Sequence, residues 1–201
     1  MDDKALYKLS SGVYLLGSGD SGCIINTLVQ VSSEPKIVTI SVNKKNHTHK
    51  LIQQNKYFNV LPVTENIDME VIKTFGFYSS SEINKYQNFA VEKDSKGSLY
   101  IKDNVSALLE CEVINEISLN THTIFIANVT GAKVLSEEPV MTYEYYQKVK
   151  KGLTPPSAPS YREKKGYVCP ICGYVHETKP EEGFVCPICK APGSIFKKLE
   201  S

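Results

Sequence analysis

The sequence predicts a mainly β fold, a β-barrel with a few helices, followed by a small C-terminal domain organised by cysteines. Residues 27–32 and 37–43 are runs rich in β-branched side chains, interrupted by a proline, and are typical of neighbouring strands. Residues 107–119 and 123–130 have the same character and flank a short polar connection, so they predict a long β-hairpin. Four cysteines in two closely spaced pairs near the C-terminus indicate a separate small domain.

Helical patterns are few and short. Residues 46–55 open with residue types that cap helices, and residues 66–76 end on Gly76, which predicts a helix stop at that glycine. Many strands with few inserted helices favour a closed barrel over a doubly wound parallel sheet. No glycine-rich strand-to-helix turn of the dinucleotide-binding type occurs in the sequence.

Length and composition allow one domain of ordinary size and a second, small one. The chain has 201 residues, 41% of them hydrophobic, and a formal net charge of +1, which argues against nucleic acid or a membrane surface as partner. No apolar run has the length of a membrane span and no signal peptide is recognisable, so we expect a cytoplasmic protein. Cys23 and Cys111 lie in apolar, strand-like contexts and are expected to be buried free thiols.

Composition also predicts the domain boundaries: a first domain at residues 1–146, a linker at 147–165 and a last domain at 166–201. The linker has three prolines, no hydrophobic periodicity and six basic residues against Glu163 alone. Proline-rich chain is semi-extended, at about 3 Å per residue. The linker is therefore expected to tether the last domain.

The four cysteines of the last domain form two Cys-Pro-Ile-Cys units, Cys169 with Cys172 and Cys186 with Cys189, separated by thirteen residues. A short hairpin can bring four such thiolates together as tetrahedral ligands of one metal ion. Spacing alone leaves the metal open, because the same ligand set suits zinc and iron.

The residues around these cysteines bear on the metal. Tyr167, Tyr174, Phe184 and Phe196 supply a small aromatic core beside the sulfurs, and the basic and acidic residues of the domain balance. The segments Tyr-Val-Cys-Pro-Ile-Cys-Gly-Tyr-Val-His and Cys-Pro-Ile-Cys-Lys-Ala-Pro resemble rubredoxin, in the short-loop form found at the end of rubrerythrins. The resemblance implies one iron that is held by the four cysteines and cycles between ferric and ferrous states, with zinc as an alternative occupant.

The first domain carries a second resemblance. Residues 25–33, 39–52 and 75–86, together with His122 at the hairpin tip, resemble the flavin reductase-like family of FMN-binding split barrels. The match extends over nearly all of residues 5–146 and implies that the barrel is an FMN-binding split β-barrel. Where that family has Gly-Asp before the histidine, this chain has Asn-Thr.

The resemblance also implies which residues bind FMN. Amide and hydroxyl groups suit the edge of an isoalloxazine, backbone N–H groups before a helix favour a phosphate, and a lysine can neutralise the phosphate or reduced flavin. The same residues would also fit ordinary sheet polarity, a helix cap and solvated lysines. The implied residues are Asn26, Thr27 and Gln30 with neighbouring Leu28 at the isoalloxazine, Ser41, Val42, Asn43, Lys44, Thr48 and His49 around the phosphate, Lys85 for negative charge, and His122 for nicotinamide or flavin.

The two resemblances together predict an electron relay. A tetrathiolate iron takes one electron, whereas a nicotinamide gives two as hydride, and flavin is the usual cofactor that connects the two. The combination resembles the fusion proteins called high-molecular-weight rubredoxins. That resemblance implies hydride transfer from NAD(P)H, with NADH favoured, to FMN and single-electron transfer to iron. It further implies a homodimer and a flavodiiron protein that reduces O2 or NO as electron acceptor, with a rubrerythrin as a second client.

The residues leave two alternatives. A plain NADH:flavin oxidoreductase would release reduced FMN to a monooxygenase and use the cysteines for a structural zinc ion. A non-enzymatic binding protein would recruit a partner through a zinc ribbon and would have lost flavin from the barrel. Turnover of free FMN by a colourless apo-protein distinguishes the first alternative, and failure to bind FMN distinguishes the second.

Overall fold

Two structural units make up the chain in the computed structural model, which describes residues 5, 8–150, 166–170, 174–187 and 190–198. They are Met1–Tyr145 and Tyr146–Ser201, and the division falls inside a short helix. That helix continues to Lys148, so the first two residues of the predicted linker are helical. Residues 151–165 of the linker lie outside the described residues. Within the described ranges, no helix is long and apolar enough to cross a bilayer.

The elements of the first unit are mostly strands. The strands are β1 Tyr14–Ser18, β2 Ser21–Ile25, β3 Val29–Ser33, β4 Lys36–Asn43, β5 Tyr57–Pro62, β6 Val91–Lys93, β7 Leu99–Ile101, β8 Ala107–Ser118 and β9 His122–Val134. The helices are α1 His47–Asn55, α2 Met69–Phe77 and α3 Tyr143–Lys148, the last at the unit boundary. The prediction of a mainly β fold with a few helices is confirmed.

Seven of these strands form one antiparallel sheet in the order β2-β1-β5-β8-β9-β4-β3. The sheet curls around a single core, because Cys23 and Ile25 near one edge pack in the same cluster as Val38 and Ile40 near the other. Ile52 of α1 is fully buried in that cluster and covers it. Strand alternation leaves every second residue of β4 and β9 on the outer side of the sheet.

The β8–β9 hairpin confirms the predicted pairing of residues 107–119 with 123–130. β9 continues to Val134, and the ladder contains register shifts between Glu110 and Cys111 and between Val113 and Asn115. These bulges bend the hairpin around the core. The two runs near the N-terminus are also strands, although β3 begins only at Val29.

Helix α1 begins and ends where the sequence predicts. Asn46 is extended, and its Oδ1 accepts a hydrogen bond of 3.0 Å from the N–H of Thr48, which caps the helix. At the other end Lys56 adopts the left-handed conformation, with φ of 52°, and its N–H donates to the carbonyl of Ile52 at 2.9 Å. The predicted helix over residues 46–55 is confirmed.

Helix α2 differs from its prediction at both ends. It begins at Met69, after Asp68, whose Oδ1 accepts from the N–H of Glu70 at 2.8 Å. It runs through Gly76 to Phe77, so the predicted stop at the glycine is wrong. Gly76 instead faces Ile24 of β2, since an added methyl group would lie 3.8 Å from its Cγ1.

The second unit is small. The strands β10 Tyr167–Val168, β11 Val175–His176 and β12 Lys197–Lys198 form a sheet in the order β11-β10-β12. A 3-10 turn at Gly193–Ile195 precedes β12. In the first unit the thiols of Cys23 and Cys111 are buried in the barrel core, which confirms the prediction of buried free cysteines.

Replacing Gly76 by alanine is expected to raise the free energy of unfolding of the barrel. An interior helical glycine costs about 0.5–1 kcal/mol relative to alanine, and the new methyl group would make ordinary contact with Ile24. Urea unfolding followed by circular dichroism measures the change. A loss of stability would mean that the residue terminates the helix after all.

Gly22→Ala is the matched control, and we expect the opposite result. A methyl group at Gly22 would lie 2.6 Å from the hydroxyl oxygen of Tyr86 and 2.8 Å from Cε1 of Phe75. Both rings are buried, so the core must shift, at a cost of roughly 1–3 kcal/mol. Equal effects of the two alanines would contradict this packing.

Candidate functional site

The end of β4 and the tip of the β8–β9 hairpin are joined at one end of the barrel. Asn43 is paired with His122 in the sheet register. The N–H of Lys44 donates to the carbonyl of Thr121 at 3.0 Å, and its ammonium group donates to the carbonyl of Leu119. The structure therefore brings three predicted site residues together around the hairpin tip.

His49 of α1 lies beside this tip and is only 5% exposed. Its Nε2 shares a hydrogen bond of 2.8 Å with the hydroxyl of Thr123, while its buried Nδ1 has no partner among the described residues. Burial lowers the pKa of His49; Glu116 opposes this shift, and Lys44 and His122 add to it. The imidazole is therefore held neutral with one unused nitrogen, which a bound group could satisfy.

The first turn of α1 has few unused backbone donors. Acceptors within the chain, mostly from Asn43 and Asn46, take the N–H groups of Lys44, Lys45, Asn46, Thr48 and His49. The hydroxyl of buried Thr48 shares a hydrogen bond of 2.9 Å with Ser21 of β2. A phosphate at this helix end would therefore depend on side chains more than on the backbone donors that the sequence suggested.

Thr27 and Ser41 form a reciprocal pair. The Thr27 hydroxyl donates to the carbonyl of Ser41 at 2.8 Å and accepts from its N–H at 3.1 Å. This pair extends the β3–β4 ladder beyond the start of β3, so the Thr27 hydroxyl already has a structural role. Asn26 is half-buried in the bend that precedes Thr27. Gln30 is exposed on β3, with its Nε2 donating to the carbonyl of Ser32 at 3.1 Å.

Two of the predicted site residues turn their side chains toward the barrel interior. Val42 is buried within the core cluster, and Leu28 is half-buried against it. Only the main chain of Val42 is therefore available to a ligand on the outer side of β4.

Lys85 lies apart from the hairpin tip and is 3% exposed, whereas the sequence alone favoured a surface lysine. Its ammonium group donates to the carbonyls of Gly22, at 2.9 Å, and Phe75, at 3.1 Å, and lies 5.7 Å from the centroid of the Phe75 ring. Burial lowers the pKa of Lys85, and the nearby Cys23 thiol opposes the shift. Both acceptors are main-chain groups, so nothing in the sequence marked them.

In the second unit, Cys169 and Cys186 are both 0% exposed. They pack with Ala191 and Phe196, and the half-buried side chains around them are Tyr167, Tyr174, Phe184 and Ile195. Cys172 and Cys189, the other predicted ligands, lie outside the described residues. Two buried thiols in an apolar shell fit a soft metal ion, and this chemistry suits iron and zinc alike.

The two cysteine units repeat the same local geometry. The N–H of Cys169 donates to the carbonyl of Tyr174 at 2.8 Å, and that of Cys186 donates to the carbonyl of Ala191 at 2.8 Å. In the second cysteine unit, Lys190 adopts a left-handed conformation, with φ of 62°. Gly173 holds the same sequence position in the first cysteine unit. A non-glycine residue in that conformation costs of order 1 kcal/mol and indicates that the turn is fixed by its surroundings.

Two family models match the chain. The model described as flavin reductase like domain matches residues 6–154, and the model described as rubrerythrin, rubredoxin-like domain matches residues 167–197. The first match covers most of the chain, and the second covers both cysteine units.

Relatives match along most of the chain. A protein of Moorella thermoacetica named high molecular weight rubredoxin is 34% identical over 213 residues, which cover 99% of this chain and 92% of the relative. A protein of Archaeoglobus fulgidus named ferric-chelate reductase (NAD(P)H) is 35% identical over 169 residues, which cover 82% of this chain and the whole of the relative.

Solved structures share the fold of the barrel. The NADH:FAD oxidoreductase of Streptomyces globisporus superposes with a TM-score of 0.62 at 20% identity, covering 70% of this chain and 89% of that one. Flavoredoxin from Methanosarcina acetivorans gives a TM-score of 0.57 at 22% identity, covering 62% and 68%. With its flavin reductase-like domain followed by a rubredoxin-like domain, the chain belongs to the family of high-molecular-weight rubredoxins.

Proposed function

We propose that this protein is an electron-transfer oxidoreductase that takes hydride from NAD(P)H, preferably NADH, on FMN and passes single electrons through a four-cysteine iron to an external acceptor. The observation that carries the proposal is the presence of both domains on one chain, matched over 99% of its length by a high molecular weight rubredoxin. Flavin, when bound, supplies the conversion between a two-electron donor and a one-electron acceptor.

The proposed FMN site lies at the end of the barrel formed by β4, α1 and the hairpin tip. Lys44 and His49 provide positive or hydrogen-bonding groups for the phosphate, and the Nδ1 of His49, which has no partner among the described residues, supports this assignment. His122 at the hairpin tip is proposed to meet the nicotinamide or the flavin. Asn26, Gln30 and the outer side of Ser41 line the approach from β3 and β4, where the isoalloxazine is proposed to lie. The remaining residues proposed to surround the flavin are Thr27, Leu28, Val42, Asn43 and Thr48. Lys85 belongs to the proposed site through its buried contacts with Gly22 and Phe75. No side chain is assigned as general acid or base.

Iron is the proposed metal, held by Cys169, Cys172, Cys186 and Cys189. The match to a rubredoxin-like model supports iron over zinc, which the ligands alone do not distinguish. The two buried cysteines keep water from the sulfurs, which tunes the potential of such a site. NAD(P)H as donor is supported by the Archaeoglobus relative that carries this donor in its name.

The proposed acceptor is a flavodiiron protein that reduces O2 or NO, with a rubrerythrin as the second candidate. Val185, next to buried Cys186, is 51% exposed and provides apolar surface directly beside a proposed metal ligand. A weak, mostly apolar contact of this kind suits a transient redox partner. The reaction is placed in the cytoplasm, where NADH is available and unpaired thiols persist.

A homodimer is part of the proposal, with the outer side of the sheet as its contact. We call this surface the outer face; it consists of Val29, Thr39, Ser41, Ile117, Ile124 and Ile126, which neighbour one another across β3, β4, β9 and β8. Val29 and Ile117 are half or nearly half exposed, and no residue of the face is charged. Such a face can meet a second copy of itself without repulsion between like charges, and it adjoins the proposed flavin site at Ser41.

Anaerobic mixing of the FMN- and iron-loaded protein with NADH is expected to bleach flavin absorbance first and ferric-thiolate absorbance second. Stopped-flow spectroscopy follows the two bands separately. In Cys186→Ser the flavin phase should persist and the iron phase should disappear, because a buried ligand has been lost.

Cys111→Ala is the matched control, since it removes a buried thiol from the barrel core and leaves the proposed ligands intact. Both phases should remain in this variant. Turnover that requires excess free FMN, with a zinc-loaded terminal domain, would support the plain oxidoreductase instead.

Ile124→Glu is expected to convert the dimer to a monomer of 22.4 kDa, measured by light scattering after gel filtration. Burying an unpaired carboxylate at the centre of the outer face would cost about 3 kcal/mol. Val134→Glu places the same charge on an exposed residue at the far end of β9 and should leave the mass unchanged. A dimer that survives Ile124→Glu would place the contact elsewhere.

A further inference from the structure

Lys85 is a buried cation whose partners are main-chain carbonyls. The structure gives it no carboxylate partner among the described residues, and its ammonium group is held by the carbonyls of Phe75 and Gly22. Phe75 lies in the last turn of α2, where carbonyl groups lack helical partners and the helix dipole favours a positive charge. The charge is therefore stabilised by the end of a helix, and one ammonium group joins that helix to β2.

Gly22 is the point at which the free edge of β2 is held. On one side it pairs with Gly17 of β1. On the other side its N–H donates to the hydroxyl of Ser80 at 3.4 Å, and its carbonyl accepts from Ser80 at 3.3 Å as well as from Lys85. The rings of Phe75 and Tyr86 leave no space for a side chain at this residue. The edge strand is thus fixed in one position.

The residues on either side of Gly22 continue the connection to α1. The Ser21 hydroxyl shares a hydrogen bond of 2.9 Å with the hydroxyl of Thr48, which is fully buried in the first turn of α1. Burial raises the pKa of the Cys23 thiol, and hydrogen bonding with the side chains of Thr48 and of the capping residue Asn46 opposes this shift. A displacement of β2 at Gly22 would therefore be transmitted to the helix end that adjoins His49.

We propose that Lys85 is a positioning residue of the flavin site, which acts through β2 on the first turn of α1 and does not touch the flavin itself. The inference rests on the proposed function for the identity of the ligand. The Lys85 ammonium group fixes Gly22, and the neighbouring Ser21 then fixes Thr48 through its hydroxyl. The binding groups at the start of α1 are held in place by a lysine that faces the protein interior.

A direct contact and a positioning role predict different couplings. If Lys85 acts through Ser21, the effects of Lys85→Met and Ser21→Ala on FMN affinity will be non-additive, because both break the same connection. If Lys85 touches the flavin, the two effects will add, and loss of its charge will also shift the reduction potential of the bound flavin.

The test measures dissociation constants for FMN and riboflavin in the full-length protein by fluorescence quenching. In the wild-type protein, Lys85→Met is expected to reduce the preference for FMN over riboflavin on the order of tenfold. In the Ser21→Ala protein, adding Lys85→Met should change this preference little. The reduction potential of bound FMN should stay unchanged. Lys73→Met removes the same charge from a half-buried position on α2, where the lysine pairs with Glu70, and should retain the wild-type preference.

Amide hydrogen exchange provides a second readout that does not depend on flavin. Lys85→Met should speed exchange at Thr48 and His49, and Lys85→Gln, which keeps two N–H donors, should restore much of the protection. If Lys85→Met does not fold, Lys85→Gln decides by the same measurements. Unchanged exchange at α1, additive losses of affinity or a shifted potential would overturn the inference. Failure of the wild-type protein to bind FMN would instead overturn the proposed function.

Discussion

The pairing of β8 with β9 is the interaction on which the first unit depends. These two strands lie at the centre of the seven-stranded sheet, and each holds one half of it, β5 through β8 and β4 through β9. Their bulges bend the sheet so that both edges share one core. The same hairpin carries Thr121, His122 and Thr123 to the end of β4 and to α1. Without this pairing there is neither a closed core nor a candidate site.

Local patterns predicted the parts of the fold that local interactions determine. The hairpin, β4 and α1 follow from alternation, a short polar turn and a capping asparagine, all of which operate within a few residues. β5 was not singled out, although it is almost entirely buried between β1 and β8, because a fully buried strand has no polar alternation to reveal it. Gly76 misled the prediction for a different reason: α2 continues through it to Phe77, and the space beside Ile24 would admit a methyl group, so neither helix termination nor packing requires a glycine there.

Sequence patterns also predicted one part of the candidate site, the cysteine pairs, but not the contacts of the barrel residues. The cysteine pairs were recognisable because their spacing is typical of metal ligands, and Cys169 and Cys186 are buried, as the proposed metal site requires. The barrel residues were assigned by family resemblance, and their contacts differ from what exposed polar residues would make. Thr27 satisfies the backbone of Ser41, and Lys85 satisfies that of Gly22 and Phe75. Such contacts join distant strands, so no pattern within a short stretch of sequence could predict them.

The chain has six cysteines, and the two outside the proposed metal site, Cys23 and Cys111, could compete with the other four for a soft metal ion. Their burial in the barrel core prevents this competition. Cys23 is 2% exposed and Cys111 is 0% exposed, so neither thiol can be reached once the barrel has folded. Burial raises the pKa of Cys111 to about 12, which keeps it protonated and a poor nucleophile or ligand at neutral pH. Once the first unit has folded, its two thiols can therefore neither form disulfides with the terminal cysteines nor compete with them for a metal ion.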